Sequence, residues 1–238
     1  MKKLLAFTLA ETLIVMGIIG VVAALTIPNL NSSTADKEKI AKVKKLYSNL
    51  NDAIGRAEAV YGPASEWKNL DANIVAQTTR FGDRLTEFMK VSKNCGIAAN
   101  QGCFSKNNTK LLNNSNSGSL SDSQNDIYKF TLADGTSVLC SLTTVYVDID
   151  GPTKGSQTFG KDVFTFTYDE NSRAYFPNGN DKSFSDVLSN LKSGSSNNTG
   201  GYASSWVINY DNMDYLKLTS DGKCPNGTTP TEQKPSCK

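Results

Sequence analysis

Residues 6–28, "AFTLAETLIVMGIIGVVAALTIP", form an almost unbroken apolar run that carries one carboxylate, Glu11. From 9 to 27 the run approaches the roughly 20 residues with which a helix crosses a hydrocarbon core. After Pro28 the pattern turns from uniform to periodic. Ile40, Val43, Leu46, Tyr47, Leu50, Ile54, Ala57 and Val60 recur at steps of three and four, which predicts an amphipathic helix. Gly62 and Pro63 end it. Together the two stretches predict one nearly continuous helix over 7–61, kinked or locally melted at Pro28 and the Asn-Ser-Ser behind it. Its polar face holds Lys37, Lys39, Lys44, Lys45 and Arg56, the pattern of a solvated or subunit-facing surface.

Beyond Gly62 the periods shorten. "WKNLDANIVAQTTRFGDRLTEFMKVSKNC" supplies one more helix, with Ile74, Phe81, Leu85, Phe88 and Met89 on its apolar face. "IYKFTLADGTSVLCSL" alternates on both sides of Asp134-Gly135 and predicts a hairpin. "TTVYVDID" adds a strand, and "VFTFTYDENSRAYF" predicts a second hairpin turning at 170–173. "SSWVINYDNMDYLK" is a strand or helix that closes the core. Helices followed by a meander of strands argue an α+β fold with an antiparallel sheet. The polar segments 105–126 and 193–201 read as mobile surface loops.

Composition narrows the chemistry. The chain has 238 residues, enough for one domain with an appendage, and its 25 Lys+Arg against 23 Asp+Glu give no nucleic-acid footprint. Without histidine, the commonest general base and metal ligand are missing, and a Ser or Cys triad cannot be assembled. Five cysteines form no C-x-x-C pair; Cys95 with Cys103 and Cys224 with Cys237 lie close enough to bridge short loops in an oxidising compartment. Spacing alone leaves the connectivity open, and Cys140 remains over as a buried strand residue.

Candidate motifs are weak. "GSQTFGKD" at 155–162 nearly spells a phosphate-binding loop, but Asp162 stands where a magnesium-binding hydroxyl belongs, and a strand follows where a helix is needed. "SEWK" at 65–68 and "SNLK" at 189–192 match a Ser-x-x-Lys pattern without its companion motifs. "DIDG" at 148–151, with Asp162, resembles a calcium loop but lacks the bidentate Glu, so an Asp-stabilised turn is favoured and no cofactor is expected. These readings together predict that the chain is not an enzyme.

Lys2 and Lys3 precede the apolar run, so the positive-inside bias places the N-terminus in the cytoplasm and exports the chain beyond Pro28. A disposable secretory signal shares that layout. A carboxylate within its core would cost about 2.5–3.5 kcal/mol on insertion, however, and the helical pattern continues past it. "AFTLAETLIVMGIIGVVAALTIPNL" resembles the N-terminal segment of type IV pilins and type II secretion pseudopilins. The resemblance covers about the first 30 residues and rests on the Phe-Thr-Leu order, Glu11 and the downstream Pro28.

The resemblance implies a leader over 1–6, cleavage by a prepilin peptidase between Ala6 and Phe7, and N-methylation of Phe7. The family usually has Gly before the cut, and here a similarly small Ala6 stands there. Glu11 is implied to meet the N-terminal amine of a neighbouring subunit during filament assembly. Gly17 and Gly20 permit close helix approach. The implied fold is pilin-like, a helix whose first half, 9–27, is transmembrane and whose second half packs on an antiparallel head spanning 62–238.

The implied partners are other copies or related pilins and the inner-membrane assembly machinery. The implied location is the inner membrane with an extracytoplasmic head, then a pilus or periplasmic pseudopilus. Related pseudopilins bind calcium in their heads, through loops whose sequences differ from this one. The competing reading is a membrane-anchored extracytoplasmic binding module that does not polymerise.

Overall fold

The computed structural model describes residues 9–67, 73–116, 118 and 120–237, excepting the side chains of 25–33. The chain divides into two units, Met1–Glu38 and Lys39–Lys238, with the boundary inside the first helix. That helix, α1, runs over Leu9–Tyr61. It continues through Pro28 without the expected melting: a proline removes one ladder hydrogen bond, and the turns on either side remain. At its end Gly62, in the left-handed region at φ 77°, donates its N–H to the Glu58 carbonyl and closes the last turn.

The larger unit is α+β. Six strands, β1 (Val91–Gly96), β2 (Tyr128–Leu132), β3 (Ser137–Ser141), β4 (Thr144–Asp148), β5 (Val163–Asp169) and β6 (Ala174–Pro177), form one sheet in sequence order. Every neighbouring pair is antiparallel. Helices α2 (Ala64–Trp67), α3 (Ile74–Thr86), α4 (Phe184–Leu191) and α5 (Ala203–Tyr210) complete the unit with a short 3-10 turn at Asp214–Lys217. The hairpins at Asp134-Gly135 and 170–173 form where alternation predicts them.

The helical period of α1 and the strand period of two meet in one core. Ile40, Val43, Leu46, Leu50, Ile54 and Ala57 are buried with Phe130, Val138, Val145, Val147, Phe164 and Phe166, and Tyr47 stacks on Phe166 at 5.6 Å. Val60, one step further along the same pattern, is exposed. On α3, Phe81 and Leu85 are buried but Ile74 is exposed at the helix start, and Phe88 and Met89 follow the helix rather than belonging to it. Gly82 is where α3 rests on the sheet: a Cβ there would stand 2.2 Å from the Tyr128 ring.

Two polar side chains of α1 fasten the far edge of the sheet. Asn51 accepts from the Tyr175 N–H at 2.8 Å and donates to the Tyr175 carbonyl at 3.2 Å, filling the outer edge of β6 as another strand would. The buried Glu58 carboxylate accepts from Ala64 N–H at 2.8 Å, from the Arg173 guanidinium at 2.8 Å and from the Tyr168 hydroxyl. Burial, reinforced by that carboxylate, pushes the Tyr168 hydroxyl well above its ordinary range. The lysine row is engaged too: Lys39 pairs with Asp150, Lys44 with Asp211 and Lys45 with Asp134. Lys45 and Lys44 remain largely solvated, as the sequence predicts, and Lys39 is the more enclosed of the three.

The described parts of the polar segments are likewise held by main-chain bonds. Leu112 and Asn113 donate backbone N–H groups to the carbonyls of Thr199 and Asn198, while Lys110 donates its N–H to the Gln157 carbonyl and accepts at its own carbonyl from the Phe159 N–H. Thr109, Ser121 and Asp122 are buried. Lys129, buried on the second face of the sheet, donates to the carbonyls of Asp122 and Gln124 and pins the covering segment. Burial also lowers its ammonium pKa, against the charges of Asp122 and Asp126.

The cysteines join as Cys95–Cys103 and Cys224–Cys237, with Cα atoms 6.2 and 5.3 Å apart. Cys140 is buried, and burial pushes its thiol up to about 12, so it stays protonated and inert.

Asn51→Ala leaves the Tyr175 N–H and C=O without their partner. A loss of about 1–3 kcal/mol is expected in urea unfolding, with the slope of the transition unchanged.

Candidate functional site

The smaller unit carries the charge that the sequence singles out. Glu11 lies in the first turn of α1 and is exposed. Around it Leu9, Leu13, Ile14, Val15, Met16, Ile18, Ile19, Val21 and Val22 are all more than half exposed, so the helix is apolar on every side. Apart from the helix's own backbone, no described atom lies within 4 Å of where a Cβ would stand on Gly17 or Gly20. Among the described residues, no helix is long and apolar enough to cross a membrane. Residues 25–27 of the 9–27 span belong to the stretch without described side chains, and Ala6 and Phe7 lie outside the described residues altogether.

In the larger unit, loop 155–162 explains why its sequence nearly matches a phosphate loop. The N–H groups of Ser156, Gln157 and Thr158 converge, as in an anion-binding nest. The anion is the chain's own: Asp162 accepts from Gln157 N–H at 3.0 Å, from Thr158 N–H at 2.7 Å, from Ser156 N–H and from the Ser156 hydroxyl at 3.1 Å. Gly155, at φ 77°, has no room for a side chain, since a Cβ would stand 2.3 Å from Asp162 Oδ2. The strand β5 follows directly, as the sequence predicts. The three converging N–H groups that could cradle a phosphate are thus taken up by Asp162.

The other motifs do not assemble. In the Ser-x-x-Lys matches, Ser189 lies on α4 and Lys192 caps it, with no hydrogen bond between their side chains among the described residues, and Lys68 lies outside those residues. Asp148, Asp150 and Asp162 are neighbours, but their carboxylates take separate partners: Asp150 pairs with Lys39 at 3.1 Å, and Asp162 fills the nest. Among the described residues no group of three or more acidic or cysteine side chains is arranged to hold a metal ion. The Asp148 carboxyl accepts from the Asp150 N–H at 3.1 Å, the Asp-stabilised turn that the sequence favours.

No family model, no curated protein and no solved structure matches the chain.

Asp162→Ala empties the nest. It is expected to lower stability by about 3 kcal/mol or more, since it removes the acceptor of four hydrogen bonds. Sulfate, entering the vacated nest, is expected to restore part of the loss in thermal unfolding.

Proposed function

We propose that the chain is a structural subunit of a type IV pilus or type II secretion pseudopilus. In this reading, prepilin peptidase cuts between Ala6 and Phe7, Phe7 is N-methylated, and residues 9–27 hold the subunit in the inner membrane. Its N-terminus is cytoplasmic and its head extracytoplasmic until the membrane assembly machinery adds it to a filament of like subunits.

The observation that carries the proposal is Glu11, the one charged residue on a helix stretch exposed and apolar all round. An all-apolar helix surface is stable against lipid or against other apolar helices, not against water. A carboxylate on such a surface is costly to desolvate, and an opposite charge at short range offsets that cost. Cleavage before Phe7 creates such a charge, an α-amine near the same end of the helix. Between two chains, the pair sets the axial register at which helices stack. The head suits display: α1 enters its core, both disulfides fit an oxidising compartment, and its polar segments cover the outer surface of the sheet.

Glu11→Ala is expected to abolish filament assembly while leaving the head folded and the subunit in the membrane. Undiminished filaments would remove the role assigned to Glu11. Mass spectrometry of the native protein is expected to find an N-terminus at methylated Phe7. An intact Met1, or a cut near Ala24, would instead indicate an anchored binding module that does not polymerise.

A further inference from the structure

Asp148 ends β4 with its side chain fully buried. The β3–β4 register sets it opposite Ser137, and loop 149–162 brings Gln157 beside its carboxyl. Three buried polar atoms in this neighbourhood, Ser137 Oγ, Asp148 Oδ2 and Gln157 Oε1, have no hydrogen-bond partner among the described residues. Two of the three are acceptors only, so what is missing is a donor. Oδ1 of Asp148 accepts from the Asp150 N–H, but a buried carboxyl whose second oxygen lacks a donor, and which has no counter-charge, is favoured in its protonated form.

The charged neighbours supply no alternative. Asp150 and Asp162 are acidic, and both are already satisfied, by Lys39 and by the nest. Lys39 is occupied at Asp150 and, at 3.2 Å, at the Lys161 carbonyl, so one helix lysine clasps both limbs of the loop. Lys154 contributes its carbonyl, which accepts from Gln157 Nε2 at 2.7 Å. Among the described residues no Lys or Arg, Lys154 and Lys161 included, pairs with Asp148.

We propose that Asp148 folds as the neutral acid and that its proton latches loop 149–162: losing it sets an uncompensated negative charge beside Asp150 and Asp162 and opens the loop to solvent. This inference is independent of filament assembly. Burial pushes the Asp148 carboxyl up to about 7, with the charges of Asp162 and Asp150 adding and the N–H groups of Gln157 and Asp150 opposing. The folded chain therefore holds a proton that the unfolded chain releases near pH 4. The resulting stability is complete below about pH 4 and is lost as pH rises to about 7, by up to tenfold in the folding equilibrium per pH unit.

The test uses the full chain in detergent micelles, with aspartate carboxyl carbons labelled for NMR and titrated from about pH 4 to about pH 9. One carboxyl is expected to titrate near neutrality and to vanish in Asp148→Asn. Amide exchange over 149–162 is expected to quicken across the same range in the parent and to stay flat in the variant. A titration of Asp148 at the ordinary carboxylate range would overturn the proposal. So would protection of the loop at neutral pH by added calcium or sodium, which would make the missing group a cation. Should Asp148→Asn fail to fold, Gln157→Ala keeps the carboxyl and removes an N–H that lowers its pKa. Its midpoint is expected to move upward, and an unmoved midpoint counts against the latch.

Discussion

The head depends on one buried carboxylate. Glu58 sits near the end of α1 and accepts hydrogen bonds from three separate parts of the chain: the start of α2, the β5 tyrosine and the arginine of the β5–β6 turn. A buried anion tolerates no missing donor, so these parts can come together in only one arrangement. Hydrophobic contact between α1 and the sheet provides most of the driving force but is indifferent to small slides along the helix axis. Glu58, one turn from the helix end, and Asn51 on the edge strand remove that freedom. The axial position of the second half of α1 on the sheet is therefore a property of hydrogen bonds as well as of apolar contact.

Where apolar periodicity exists, the fold was legible in the residues. The second half of α1 and both hairpins follow from spacing, because each buries a continuous face. The failures share a cause. Strand β1 reads "VSKNCG", with no alternation, because it is an edge strand whose pairing with β2 is twice irregular. Segments 105–126 and 193–201 read as loose because their order comes from main-chain bonds and a buried lysine, neither of which leaves a hydrophobic signature. The ion pairs of the α1 lysines were not legible because Asp134, Asp150 and Asp211 lie far away in sequence.

The candidate sites divide in the same way. Glu11 stands out in the sequence because an acid in an apolar run is anomalous wherever it occurs. The carboxylates of 148–162 are individually unremarkable in sequence; their distinct roles appear only once the register is known. Asp150 takes an ion pair, Asp162 takes a cradle of amides, and Asp148 is left beside Ser137 and Gln157. One signal was available: a near-match to a phosphate loop with a carboxylate inside it points to an anion that the chain supplies itself.

The seam between 110–113, 157–159 and 198–199 has a further implication. Its main-chain bonds would suit almost any amino acid, but Thr158, Phe159 and Asn198 are buried there, and a Cβ on Gly200 would stand 2.4 Å from the Phe159 carbonyl oxygen. The backbone bonds thus set the path of the covering layer, while a few crowded positions limit which residues that path accepts.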